Sequence, residues 1–338
     1  MIRRLAGAAG AAVVSAVTLR AIGRRASERL LAAPRVGPEE EALGPALDAL
    51  GGEVVRFRSR DGLRLGGRWL PAIGAGGTDG WVTDPHEAVL LLHGYSGSVA
   101  PDLVEYGPFL RRTANVLGID FRGHGESDPG PSTFGMLEVE DVAGALAWLG
   151  ERGITRVAML GTSMGGMAAL ASVAVLGDGS LPAADMDPSP TRAPVAAPRP
   201  AIVAVVADST APEAEIPVAN RLRSPFRRFV AGRIFDAAAR QLGADPRDLE
   251  PARVIGLIEP LPVLLIHGDA DTTVPLADGQ RLADLAGRSA EHWIVAGADH
   301  SQAHATAGQD YERRVTDFLR VSFRRTREHD LRDQGRDL

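Results

Sequence analysis

The chain contains no cysteine. That excludes disulfides, a cysteine nucleophile and thiolate metal sites. It contains no lysine either, since all 37 of its Lys and Arg residues are arginine. A Schiff-base mechanism needs a lysine amine and is therefore excluded. Basic charge is outnumbered: the formal net charge is -6, and no basic stripe runs through the central region. Nucleic-acid binding is not expected from such a chain. The eight histidines show no H-E-x-x-H or comparable spacing, so no metal is expected. No G-x-G-x-x-G follows the first apolar strand-like run, which leaves a dinucleotide site unsupported. No cofactor of any kind is expected.

Long apolar runs are also scarce at the N-terminus. Leu5 to Leu19 is apolar but falls short of the stretch of about 20 residues a spanning helix needs. Val14-Ser15-Ala16 is a poor signal-peptide cleavage site. Arg3 and Arg4 precede the run, and Arg20, Arg24 and Arg25 follow it. Basic flanks on a short apolar segment suit contact with a membrane surface. Residues 1–25 are expected to make that contact. If they form a plain Ala-rich helix lying on the domain instead, the expected location is cytoplasmic.

What is present is ordinary soluble material: 338 residues, 45% hydrophobic and 24% charged, with ample substance for a core. Residues 1–50 read as an apolar, helical segment and linker. Glu53 to Arg58 and Leu63 to Leu70 read as a hairpin turning at Arg60-Asp61-Gly62. Aliphatic runs at Ala88 to Leu92, Val116 to Ile119, Arg156 to Leu160, Ala201 to Val206, Pro262 to Ile266 and Trp293 to Val295 read as strands. Helices are expected at Val139 to Leu149, Met167 to Leu176, around Leu282 to Leu285, and at Tyr311 to Phe323. Strands alternating with helices predict an α/β domain over 51–323, with a mostly parallel sheet covered by helices on both faces. Residues 178–200 read as a Pro-rich loop. Residues 209–259 read as a small helical cap whose Phe226, Phe229, Val230, Ile234 and Phe235 are expected to line an acyl pocket. The charged tail, 324–338, is expected to fray.

Gly161-Thr162-Ser163-Met164-Gly165 is the most informative stretch. It reads G-x-S-x-G between a strand and a helix, the context in which such a turn lifts a serine out of the sheet. The glycines let strand and helix approach closely around a strained residue. A serine hydroxyl is a weak nucleophile and needs a base, a group to orient that base, and donors for an oxyanion. Downstream, His267-Gly268-Asp269-Ala270-Asp271 supplies carboxylates and Gly297-Ala298-Asp299-His300 supplies a base. Upstream, His93-Gly94-Tyr95-Ser96-Gly97 follows a strand, and Asp120-Phe121-Arg122-Gly123-His124-Gly125-Glu126-Ser127 follows the next.

These five motifs, in this order, resemble the serine-hydrolase branch of the α/β-hydrolase superfamily. They also resemble, more weakly, its esterase and serine-aminopeptidase-like members with a short helical cap. The resemblance implies Ser163 as nucleophile, His300 as base and Asp271 as the orienting acid. Asp269 and Asp208 are competitors for the acid. The backbone N–H groups of Tyr95 and Met164 are the implied oxyanion hole. His93, Gly94, Gly161 and Gly165 are implied as supporting loop residues, and His124, His267 and His304 as structural or rim residues. A serine rather than an aspartate at the elbow disfavours epoxide opening and halide displacement. The expected activity is hydrolysis of carboxylic esters, with thioesters or amides possible, on a small-molecule acyl substrate. Acyl transfer and peptide cleavage would use the same residues. A non-catalytic binding protein on the same fold is the rival from another class.

Overall fold

The computed structural model describes residues 21–34, 36–73, 81–177 and 199–334. The Leu5–Leu19 run and almost all of the 178–200 loop lie outside the described residues.

Helix α1 occupies 21–31, followed by two short helices, α2 (Pro38–Glu41) and α3 (Gly44–Leu50). The expected hairpin is present as β1 (Glu53–Arg58) and β2 (Arg64–Leu70). The remaining strands are β3 (Glu87–Leu92), β4 (Asn115–Ile119), β5 (Arg156–Thr162), β6 (Ala201–Asp208), β7 (Val263–Gly268) and β8 (Ala290–Val295). They form one eight-stranded sheet in the order β1-β2-β4-β3-β5-β6-β7-β8. Neighbours from β4 through β8 pair in parallel, and β2 runs antiparallel to both β1 and β4.

The central strands are apolar on both faces because both faces are covered. Ala88, Leu90 and Leu92 of β3 join a core under α5 (Glu138–Glu151) and α6 (Met164–Leu176). Val89 and Leu91 point the other way. They pack on a core built from α4 (Ala100–Leu110), α11 (Ala303–Ala307) and α12 (Gln309–Gln334). β5 and β7 divide in the same period-two manner. Helix α10 (Leu276–Leu285) closes the far end.

Three features depart from the sequence expectation. Helix α4 was not foreseen, because Pro101, Gly107 and Pro108 interrupt its pattern. The charged tail is helical as far as Gln334. Tyr311, Val315, Leu319 and Phe323 lie four apart on one face of α12 and are fully buried, each contributing roughly 1.5–3 kcal/mol by burial. The charges beyond them have partners. Arg327 reaches Glu87 at 3.3 Å, Asp330 reaches Arg156 at 3.1 Å, and Arg320 and Arg327 lie over the Trp81 ring.

The insertion between β6 and β7 is helical, as expected of a cap: α7 (Glu215–Arg221), α8 (Arg227–Leu242) and α9 (Pro251–Val254). Its bulky side chains do not sit as expected. Phe235 is buried against Phe134, whereas Phe226 and Phe229 are 71% and 72% exposed. Among the described residues, no helix is long and apolar enough to cross a membrane.

Candidate active site

Ser163 sits between β5 and α6 with φ 48° and ψ -109°. This is a left-handed strained conformation for a residue with a Cβ. Its flanking glycines are packed too closely for side chains. A Cβ on Gly165 would collide with the Leu92 carbonyl oxygen, and one on Gly161 with the Gly165 backbone. The Ser163 N–H donates to the Asp208 carbonyl at 2.8 Å. Strand, turn and helix are thereby pressed together, and the hydroxyl is left pointing out of the sheet at the N-terminus of α6.

The loop after β7 carries Asp271 and the loop after β8 carries His300. Two other carboxylates brace these loops together. Asp269 accepts from the Gly297 N–H at 2.6 Å, and Asp299 accepts from the Thr272 and His300 N–H groups at 3.0 and 2.8 Å. Asp271 is fully buried at its side chain. Its Oδ1 accepts from the N–H groups of Thr273 and Val274 at 2.8 and 2.7 Å. Its Oδ2 lies 2.8 Å from His300 Nδ1, and His300 Nε2 lies 2.9 Å from Ser163 Oγ. With Nδ1 protonated toward the carboxylate, Nε2 is left as acceptor for the serine hydroxyl. The structure thus brings Ser163, His300 and Asp271 into one chain of hydrogen bonds.

The competing acids have other partners. Asp208, at the end of β6, accepts from the Ser209 and Tyr311 hydroxyls, both at 2.9 Å. Burial pushes its carboxyl up to about 6. Asp269 is occupied with Gly297. Of the remaining histidines, His93, His124 and His267 hold loops. His93 Nδ1 donates to the Gly94 carbonyl at 2.6 Å and its Nε2 accepts from the Phe121 N–H at 3.1 Å. Burial holds that ring down to about 3, so it stays neutral. His267 donates to the Val274 carbonyl at 2.7 Å, and His124 contacts the Arg122 carbonyl at 2.9 Å. His304 lies in α11 against Glu105 at 3.0 Å, a hydrogen bond that raises its pKa.

The Gly94 loop lies directly against the elbow: a Cβ at Gly94 would be 3.6 Å from that of Ser163. Tyr95 and Met164 both border the cavity in front of Ser163. Among the described residues, neither backbone N–H donates to a protein acceptor. The cavity holds about 230 Å³. Tyr95, Phe134 and Met167 form an apolar wall, with the Tyr95 and Phe134 rings stacked at 5.5 Å. Asp102 and Glu105 from α4 form an acidic wall, and Pro217 and Arg221 come from the cap.

The sequence reading missed Phe134, Asp102, Glu105 and Arg221. Asp102 accepts from the Thr162 hydroxyl at 2.8 Å. Burial pushes its carboxyl up from 3.8 to about 7. Because the folded value lies above the unfolded one, Asp102 supports the fold below the unfolded value and withdraws that support as pH rises through the folded value. Asp102→Asn keeps an acceptor for Thr162 and cannot ionise. Thermal unfolding is expected to show the variant gaining Tm over the parent at about pH 8 and not at about pH 4. Equal shifts at both pH values would refute a buried, titrating Asp102.

No group of three or more His, Asp or Glu suited to a metal ion occurs among the described residues.

Comparison with known proteins follows the same lines. YfhR of Salmonella typhi, an uncharacterized protein, is 28% identical over 272 residues, covering 79% of this chain and 80% of its own. YqkD of Bacillus subtilis, also uncharacterized, is 26% identical over 251 residues, covering 71% and 74%. Among solved structures, an esterase of Pyrococcus furiosus superposes with a TM-score of 0.60 at 21% identity, over 86% of this chain and 99% of that one. A membrane phospholipase A described as a bacterial virulence factor superposes with a TM-score of 0.52 at 18% identity, over 94% and 98%. These structural likenesses are likenesses of fold. The alpha/beta hydrolase family matches residues 89–312, a span that takes in the elbow, the Asp271 loop and the His300 loop, and this chain belongs to that family.

Proposed function

We propose that the protein is a serine hydrolase that cleaves carboxylic esters of a small-molecule acyl substrate through an acyl-enzyme intermediate. His300 Nε2 takes the proton of Ser163 as Oγ attacks the carbonyl carbon. The carbonyl oxygen becomes an oxyanion facing the N–H groups of Tyr95 and Met164. As the tetrahedral species collapses, the bond to the alcohol oxygen breaks and His300 returns the proton to that oxygen. Water then repeats the sequence on the acyl-enzyme, with His300 again as base, and frees the acid and Ser163. Asp271 holds the imidazole tautomer and stabilises the imidazolium.

The observation that carries this reading is the Asp271–His300–Ser163 relay, at 2.8 and 2.9 Å, ending in a cavity. The apolar wall of Tyr95, Phe134 and Met167 supports an acyl group on that side. Membrane contact through residues 1–25 completes the reading. The test is fluorophosphonate labelling, with the modified residue located by mass spectrometry. An adduct on Ser163 that is missing from His300→Ala is the expected result. Folded protein that takes no label would overturn it.

A further inference from the structure

The cap carries a surface that neither the fold nor the reaction explains. From the end of α7 into the first turn of α8, the chain reads Arg221-Leu222-Arg223-Ser224-Pro225-Phe226-Arg227-Arg228-Phe229-Val230. Phe226 and Phe229 stand 71% and 72% exposed. Exposing two phenylalanines side by side is costly in water, and a contiguous exposed apolar patch marks an interaction site. Arg223, Arg227 and Arg228 surround them and are also exposed. Among the described residues, none of the three has an ion-pair partner. The carboxylates nearest in sequence are engaged elsewhere: Glu213 with Arg281, Glu215 with Arg247, and Asp236 with Arg233 and Arg247. A chain of net charge -6 therefore concentrates unpaired positive charge around two exposed aromatic rings.

Helix α1 lies alongside. A Cβ at Gly23 would be 3.9 Å from that of Ala237, and the Ser27 hydroxyl is 3.4 Å from Gln241 Oε1. Helix α1 thus begins beside α8, and the first 20 residues precede it in the sequence. They contain no Asp or Glu and bring Arg3, Arg4 and Arg20. They offer nothing that could neutralise the cap arginines. The same face reaches the cavity. Arg221 lines it, and Tyr95, on its wall, donates its hydroxyl to the Ala32 carbonyl at 2.7 Å just past α1.

We infer that the Phe226–Phe229 face of the cap docks on an anionic lipid surface, with the rings entering the interface and the arginines meeting lipid phosphates. Aromatic rings flanked by arginine match a negatively charged headgroup layer over an apolar interior. The cavity mouth is then held at the lipid, where a lipid-borne ester can reach Ser163. That last consequence rests on the hydrolase reading, whereas the docking itself does not. The inference also builds on the membrane contact proposed for residues 1–25 but is carried by different residues.

The absence of cysteine allows a direct test on the full chain. Phe229→Cys and, as a control on β1, Val54→Cys are each labelled with an environment-sensitive nitrobenzoxadiazole probe. The labelled proteins are mixed with vesicles of phosphatidylcholine, alone or with about one-third phosphatidylglycerol. The probe at 229 is expected to brighten and shift to the blue only with the anionic vesicles, and the probe at 54 to stay unchanged. Arg223→Gln/Arg227→Gln/Arg228→Gln is expected to bind these vesicles on the order of 100-fold more weakly, from about fivefold per arginine. Binding that leaves the 229 probe silent would overturn the inference while leaving residues 1–25 as the contact. No binding to either vesicle would overturn both. Equal response to neutral vesicles, or a triple variant that binds as tightly as the parent, would overturn the role of the arginines. Ester turnover plays no part in these readings, so failure of the hydrolase assignment is distinguishable.

Discussion

Ser163→Ala is expected to lower kcat for a soluble p-nitrophenyl ester by about 10⁴-fold or more, with KM little changed. The substitution removes one oxygen and nothing else. The Cβ remains, the strained backbone at φ 48° remains, and the N–H still reaches the Asp208 carbonyl. Among the described residues, the side-chain partner that Ser163 Oγ loses is His300 Nε2 at 2.9 Å. Stability should therefore hold while covalent chemistry stops. Residual turnover would come from whatever polarisation the Tyr95 and Met164 N–H groups provide. Groups that act as a unit lose their effect together, so adding His300→Ala to Ser163→Ala is expected to cost little more. Turnover that survives Ser163→Ala, measured by steady-state kinetics beside an unfolding curve, would sink the assignment.

Asp271→Asn is expected to lower kcat by about 10⁴-fold, and Asp269→Asn by less than about tenfold. The reason lies in how the side chain is held. Asp271 Oδ1 accepts from two backbone N–H groups, so in the asparagine variant that position must stay an oxygen. The amide nitrogen is then forced to face His300. It donates, so Nδ1 must accept, and the ring proton moves to Nε2. The hydrogen bond toward Ser163 then runs the wrong way, and the serine keeps its proton. Asp269→Asn leaves an oxygen for the Gly297 N–H and changes no tautomer. Comparable losses from both variants in parallel assays would refute Asp271 as the orienting acid.

These two experiments concern residues that were legible in the sequence. A nucleophile, an acid and a base demand particular side chains, each on a loop after a strand. The central strands were legible because both faces of the sheet are buried there and their runs are almost wholly apolar. Other parts of the site left no such trace. Helix α4 hides behind Pro101, Gly107 and Pro108, and with it went Asp102 and Glu105. Phe134 reaches the cavity from a left-handed backbone position, φ 58°, which no periodicity announces. The cap could be read as helical, but not which way its aromatics would turn. Spacing within α8 allows Phe229 and Phe235 to face differently, and it is Phe235 that packs on Phe134 and joins the core. The charged end of α12 reads as solvated when taken alone. Its partners, Glu87 and Arg156, lie far away in the chain.

Those partners tie the charged end of α12 to the strand that leads to the candidate site. Glu87 is wholly buried at the foot of β3, where Arg156 and Arg327 neutralise it. The head of the same strand runs straight into His93, Gly94 and Tyr95. The terminal helix and the loop facing Ser163 are therefore mounted in series on one strand, as a tiller and a rudder share a shaft. Removing Arg327 would leave a buried carboxylate with one counter-charge fewer, and the disturbance would enter at the root of β3. The charged end of α12 is thus anchored on the same strand that leads into the Tyr95 loop.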